Sequence, residues 1–326
     1  MIETIDGAYV QALLRPRPRD SHKGDYGRIL MIAGSLYMTG AAILCARGAY
    51  RSGSGLVRIA ALQPMLPAVF TAVPEATCVD RRSFIDSPES VLADVHAAAV
   101  GPGLGRGEET RKIVDLVLKY SKCPVVLDAD ALNVLSDEPG ILKGIRGRCI
   151  ITPHAGEAAR LLKTDVREIN RDRLAAVKAL ASLTGCISVL KGEGTLVALA
   201  KESMASILCA DSDRVSQNAA GNSGAATAYN TREVILSAES VSIRVLRNTT
   251  GNPGMAAAGS GDVLTGVIAS FAGQGLAPLD AAAAGVYIHG MAGDLAAAEI
   301  GEYGMIASDI ANNVPIAINS ILKEGG

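Results

Sequence analysis

The chain is 326 residues long, enough for one large α/β domain or two smaller ones, and hydrophobic residues make up 49% of it. With 31 Lys and Arg against 33 Asp and Glu, a net charge of -2 and no long run of either sign, it lacks the electrostatic footprint of a nucleic-acid or membrane-surface binder. Aromatics reach only 3%, with no Trp, and glycines number 35, so small and aliphatic side chains carry the core and few rings are left to stack on bases.

The first six residues, Met-Ile-Glu-Thr-Ile-Asp, are acidic and lack the apolar stretch of a signal peptide. From Arg28 to about Leu199, short apolar runs alternate with longer helical patterns. Strands are predicted at 29–33, 56–60, 97–100, 125–127, 149–152 and 187–190, and helices at 41–52, 108–120, 156–162 and 168–184. Strands that are apolar throughout and alternate with helices predict an α/β fold, a mainly parallel central sheet with helices on both faces. The stretch 200–244, with a low-complexity core at 218–228, breaks the rhythm and is expected to be an inserted segment within a single domain spanning 1–326. Beyond it, helices are predicted at 262–274, 279–300 and 305–323. The longest uncharged runs, 263–279 and 281–293, contain Gln, Gly or His, and neither reads as a membrane span. Cys45, Cys78, Cys123, Cys149, Cys186 and Cys209 form no C-x-x-C pair, which fits a reduced cytoplasm.

In parallel α/β sheets the ligand sits outside the carboxyl ends of the strands. The segments that follow the predicted strands are Ala-Gly-Ser at 33–35, Gly-Pro-Gly-Leu-Gly at 101–105, Asp-Ala-Asp-Ala-Leu-Asn at 128–133, Thr-Pro-His-Ala-Gly-Glu at 152–157 and Lys-Gly-Glu-Gly-Thr at 191–195. Their convergence describes a crevice for a large polar ligand such as a nucleotide. Gly259, Ser260 and Gly261 precede an apolar helical pattern and present N–H groups at a helix N-terminus, an arrangement that binds phosphate. Asp262 beside them is placed to take the proton of a hydroxyl attacking a phosphoryl group, although an isolated motif of this kind more often only caps a helix. No Gly-Lys dipeptide exists to form a Walker A loop, and Arg106 stands where a dinucleotide fingerprint needs Gly or Ala. His154 is expected to face the crevice with Glu157 in the first helical turn, and the four histidines lack zinc spacing. Asp128 and Asp130 either hold a magnesium ion through water or cap the next helix. Lys191 and its glycines can set an ammonium and free N–H groups on a nucleotide phosphate.

These pieces, joined by His22 to Gly27, Leu190 to Gly192, Asn248 to Ala256, Gly259 to Gly266, Tyr287 to Gly290 and Ala307 to Asp309, resemble the ADP- or ATP-dependent NAD(P)H-hydrate dehydratases of the ribokinase-like superfamily. The resemblance implies a metabolite-repair lyase acting on hydrated NADH and NADPH. The ring hydroxyl attacks the terminal phosphate of ADP or ATP, with Mg2+ present, and phosphate leaves as the ring double bond re-forms. It implies that Lys191, Gly192, Glu193, Gly194, Thr195 and Gly261 contact the nucleotide and that Ala41, Gly103, Gly105, His154 and Asp262 hold the hydrated cofactor. Asp262 is then the catalytic base, with Gly259, Ser260 and Gly261 as the anion hole. It implies a cytoplasmic enzyme working beside a separate epimerase, since only about twenty residues precede His22 where many members carry an epimerase domain. A homo-oligomer is expected, although core packing explains the small apolar helices near the C-terminus equally well. Family members usually cross from the lysine strand to Asn248 by a short hairpin, so roughly forty residues of 200–244 are extra, and a tolerated surface loop is expected there. Two other readings remain: a ribokinase-like kinase of a vitamin precursor or sugar, and a non-catalytic adenine-nucleotide binding protein, against which an intact Asp262 argues.

Overall fold

The apolar runs read as strands all enter one ten-stranded sheet in the computed structural model, which describes residues 2–200 and 242–323. Its strands are β1 (Ile2–Ile5), β2 (Arg28–Ile32), β3 (Leu56–Ala61), β4 (Thr77–Asp80), β5 (Ala97–Val100), β6 (Val125–Leu127), β7 (Cys149–Ile151), β8 (Ile187–Leu190), β9 (Leu196–Ala200) and β10 (Ile243–Asn248). They lie in the order β1-β10-β9-β8-β7-β6-β5-β2-β3-β4, and every neighbouring pair is parallel except those that β9 makes with β8 and β10.

Successive side chains of a strand point to opposite faces, so the central strands supply two cores. Ile29, Met31, Val126 and Ile150 pack on one face under α1 (Gly7–Leu13), α2 (Thr39–Arg51), α3 (Leu66–Ala72), α11 (Ser260–Gly273), α12 (Pro278–Ile300) and α13 (Ala307–Lys323). Leu30, Ile32, Leu127 and Ile151 pack on the other under α4 (Arg81–Asp86), α5 (Pro88–Leu92), α6 (Glu108–Tyr120), α7 (Asp130–Leu135), α8 (Ala155–Leu161), α9 (Val166–Arg171) and α10 (Arg173–Thr184). Helix α6 is legible in its own residues: Glu108 and Glu109 suit its positive end, Lys119 its negative end, and Thr110, Ile113, Val114 and Val117 form the buried stripe.

The predicted helix 168–184 is instead two, because the Asp172 carboxylate accepts the Ala175 N–H and starts a new helix, α10. Gly185 in the left-handed region ends it. On the other face α2 and α11 come into backbone contact: a Cβ at Gly266 would stand 1.9 Å from the Cys45 carbonyl oxygen, and one at Gly48 2.4 Å from that of Val263. The two glycines thus fix where the N-terminus of α11 meets the sheet. All of α11 is buried except Gly261 and Asp262.

Of the stretch expected to be inserted, 201–241 lies outside the described residues. Its expected limits shift inward, since Ala200 ends β9 and Ile243 begins β10, and those two residues are register partners. Because β9 runs antiparallel to β8, the partners sit at the end of the sheet away from the carboxyl end of β8. Among the described residues no helix is long and apolar enough to cross a membrane, and the small apolar surfaces of α11 and α12 are largely used in the core.

Candidate active site

The polar strand ends converge on the N-terminus of α11. Gly259 caps that helix in the left-handed region at φ +88°, where a side chain would strike Leu44. Asp262, in the first turn, is the titratable group of the opening. Burial, then the neighbouring Asp128 carboxylate, raise its pKa to about 7 against the pull of Lys191, with Asp130 and Glu157 adding to the rise. A carboxylate poised near neutrality is what a general base needs.

Asp128 is 1% exposed and reaches this position through a strained residue: Ala129 has φ +50°, ψ -116°. Both Asp128 oxygens are engaged, Oδ1 with Lys191 Nζ at 2.6 Å and Oδ2 with the Thr265 hydroxyl, which donates at 2.8 Å. Burial works against the Lys191 ammonium, but Asp128 and Glu157 outweigh it and hold its pKa above the ordinary value. A Cβ built on Gly261 would stand 3.3 Å from Lys191 Nζ, so the ammonium lies beside the bare backbone of the helix start. An anion docked on those N–H groups would meet a cation there. His289, pushed down to about 4 by burial, is neutral and donates Nε2–H to the Ser260 carbonyl at 3.0 Å, holding the first residue of α11.

His154 is the N-cap of α8, half exposed, and forms a reciprocal cap with Glu157. Its Nδ1 accepts the Gly156 N–H at 2.9 Å, and its Nε2 lies 3.3 Å from Glu157 Oε1. Burial raises the Glu157 pKa, but the His154 hydrogen bonds and Lys191 prevail and hold it below the ordinary range. Asp130 accepts the Gly105 N–H at 2.8 Å and sits at the start of α7, whose N-cap is Ala129. Neither Asp128 nor Asp130 therefore caps that helix with its side chain. Among the described residues no group of three or more His, Cys, Asp or Glu is placed to hold a metal ion.

The structure thus brings Gly105, Asp130, Asp128, Asp262, Lys191, Glu157, His154 and Gly261 into one cluster. Ala41 and Gly103 meet beside it, a Cβ on Gly103 falling 2.8 Å from that of Ala41. Gly192 and Gly194 lie against Arg173 and Arg247, whose guanidinium atoms a Cβ at either glycine would approach to 2.9 Å. Arg173, its pKa lowered by burial and by Arg247, donates to the carbonyls of Leu190 and Lys191. Thr265 lies inside the Gly259–Gly266 motif without a role read from it, whereas Arg173 and Arg247 carry no local motif and only the fold reveals them. The Asn248–Asn252 motif is a latch: Thr250 donates to the Tyr287 carbonyl, and the Asn252 amide and Gly251 N–H donate to Asp294. His22 to Gly27 precede β2 and lie at the opposite end of the sheet. Cavities of about 570 and 810 Å³ also lie there, one walled by Lys23, Arg28 and Arg58, the other by Arg17, Tyr50 and Gln274. Convergent charge marks the candidate active site at the carboxyl ends of the strands.

A family model described as NAD(P)H-hydrate dehydratase matches residues 29–228 and 230–316. The chain is 35% identical over 318 residues to the ADP-dependent (S)-NAD(P)H-hydrate dehydratase of Neisseria meningitidis, covering 95% of this chain and 91% of that protein. It is also 35% identical to the bifunctional NAD(P)H-hydrate repair enzyme of Moorella thermoacetica, of which it spans 54%, about half the length. Among solved structures, the ADP/ATP-dependent NAD(P)H-hydrate dehydratase of Bacillus subtilis, co-crystallised with ATP/Mg2+, superimposes with a TM-score of 0.73 at 28% identity over 98% of this chain and 99% of that one. A ribokinase-like superfamily protein of Enterococcus faecalis, at 23% identity and a TM-score of 0.75 over 98% of this chain and 96% of that one, shares the fold. The chain belongs to the NAD(P)H-hydrate dehydratase family.

Proposed function

We propose that this chain restores NADH and NADPH from their hydrated forms at the expense of a nucleotide phosphoanhydride, with ADP as donor in the manner of the Neisseria relative. The observation that carries the reading is Asp262: a base near neutrality, at the exposed edge of a buried helix, beside a lysine and an N-terminal anion site. Hydroxide is a poor leaving group, and the ring hydroxyl is a poor nucleophile until its proton is removed. Asp262 takes that proton as the hydroxyl oxygen bonds to the terminal phosphorus and the donor's bridging oxygen departs, giving AMP from ADP. Gly259 to Gly261 and Lys191 hold the transferring phosphoryl group and share its charge. The phosphate ester then leaves with its C–O electron pair, the neighbouring ring carbon loses a proton, and the double bond re-forms. Ala41, Gly103, Gly105 and His154 line the substrate side, and Lys191 to Thr195 the nucleotide side.

Mg2+ keeps most of its waters and binds through phosphates and at most a carboxylate or two. That matches a site whose Asp128 oxygens are both taken: the ion fits as one carried in on the nucleotide, where it neutralises phosphate charge. The reading puts the enzyme with the reduced nicotinamide pool of the cytoplasm, and Cys45, Cys78, Cys123, Cys149 and Cys186 are free thiols. It also expects a homo-oligomer, checked by sedimentation.

The test mixes purified protein with hydrated NADH, Mg2+ and either ADP or ATP, and follows recovery of dihydronicotinamide absorbance. Recovery that requires a nucleotide supports the reading and identifies the donor. No recovery with either one, and a stable phosphate ester from a sugar or vitamin precursor, would make the protein a kinase of the same fold.

A further inference from the structure

The sheet changes direction of growth between β2 and β5: the chain runs from β2 outward to β3 and β4, then returns to place β5 on the other side of β2. Crossovers that leave a strand pair in opposite directions open a crevice at its carboxyl end. The walls of this crevice are the loops after Ile32 and Val100, and they are tied together. Gly34 N–H donates to the Pro102 carbonyl at 2.7 Å, and Gly103 packs on Ala41. Gly34 itself has φ +77° and no room for a side chain against Met65 and Ala42.

Beneath this joint lies Arg81, the first residue of α4, only 2% exposed. Its Nη2 donates to the carbonyls of Ala33 at 3.0 Å and Gly34 at 2.7 Å, and its Nε to that of Ala60 at 3.3 Å. The Glu109 carboxylate lies 3.8 Å from Nη1 and is more than half exposed. Burying a cation whose counter-charge is itself exposed to solvent is costly, and here backbone carbonyls from the ends of two adjacent strands solvate it. The planar fork of a guanidinium fixes several acceptors at once, which a lysine ammonium at the end of a flexible stem does not.

We propose that Arg81 is the positioning residue of the substrate half of the site. It clamps the carboxyl ends of β2 and β3 so that the Gly34–Pro102 joint, and with it Ala41 and Gly103, is set at the distance a hydrated dinucleotide requires. This rests on the dehydratase reading for the identity of the ligand and on the structure for the clamp. Arg81 does not touch the ligand. It acts through the backbone of Ala33 and Gly34.

The experiment compares wild type with Arg81→Lys and the neutral Arg81→Gln in two ways. In steady-state kinetics the KM for hydrated NADH rises about tenfold or more, the loss expected when binding loops move by a fraction of an ångström. The ADP affinity and the kcat at saturation stay within about twofold. In hydrogen exchange, the amides of residues 34–39 and 103–105 exchange faster in both variants, while those of 188–190 and 261–266 do not. Equal losses toward both substrates, or unchanged exchange in the two loops, would overturn the proposal and leave Arg81 a general structural residue. A wild type inactive on hydrated NADH would sink the dehydratase reading instead, and the exchange result would still decide the clamp.

Discussion

Replacing Asp262 with Asn removes a carboxylate that the folded protein holds against its own preference. Its pKa is about 7 in the fold and 3.8 as an ordinary side chain, a displacement worth about 4 kcal/mol at about 1.4 kcal/mol per pH unit. The opening is partly solvated, so screening leaves roughly 2 to 4 kcal/mol. The sign follows from proton binding. Below about pH 4 both folded and unfolded chains carry the proton, and ionisation costs nothing. Between about 4 and 7 the folded chain keeps a proton that the unfolded chain releases, so stability falls as pH rises, and above about 7 the whole cost is present. Asn carries no charge at any pH. The variant should therefore match wild type near pH 4 and exceed it by roughly 2 to 4 kcal/mol at pH 8, while losing turnover. Urea unfolding of both proteins at the two pH values, without nucleotide, measures this. A stability difference that is the same at both values would refute the assignment of a strained, ionising base at this position.

Three further outcomes follow from the same geometry. The kcat/KM for hydrated NADH should rise with pH through about 7 and then level, because the base must be ionised; a profile flat from pH 5 to 8 would remove Asp262 as the titrating group. In Gly261→Ala, a helix position gains up to about 1 kcal/mol of intrinsic preference while the new methyl crowds Lys191 Nζ at 3.3 Å, so melting temperature should hold or rise as phosphoryl transfer falls. A variant that kept full turnover would show that phosphate does not approach there. Joining 201 to 242 by a short turn should leave turnover unchanged, since Ala200 and Ile243 are already paired at the sheet end away from the site. Loss of activity with an intact melt would show that the removed segment serves the chemistry.

The fold was legible where local signals agreed. The central strands are uniformly apolar because helices cover both faces, and α6 shows its caps and its stripe in the sequence itself. The edges were not. In β1 only Ile5 is buried, and β4 has no fully buried residue, so neither carries a pattern. The Asp172 break sits in the polar Asn170-Arg171-Asp172 step, a helix-start signal outweighed by the good helix formers on either side of it. At the site, glycines and carboxylates at strand ends pointed to the crevice, because close backbone approach and phosphate binding need those residue types. The pairings that tune it were invisible: Thr265 reaches Asp128 across 137 positions and Arg81 reaches Gly34 across 47, and no window of sequence contains both partners. Asp128 and Asp130 appeared equivalent in sequence, yet one is locked between Lys191 and Thr265 while the other receives the Gly105 N–H.

The central claim is that phosphoryl transfer to the ring hydroxyl, with Asp262 as base, is what makes water leave. The most direct measurement is the ratio of inorganic phosphate released to dihydronicotinamide restored, with ADP and hydrated NADH, in wild type and Asp262→Asn. The account predicts a one-to-one ratio in wild type and the collapse of both signals together in the variant. Dihydronicotinamide restored without phosphate, or phosphate release that persists undiminished in Asp262→Asn, would contradict it.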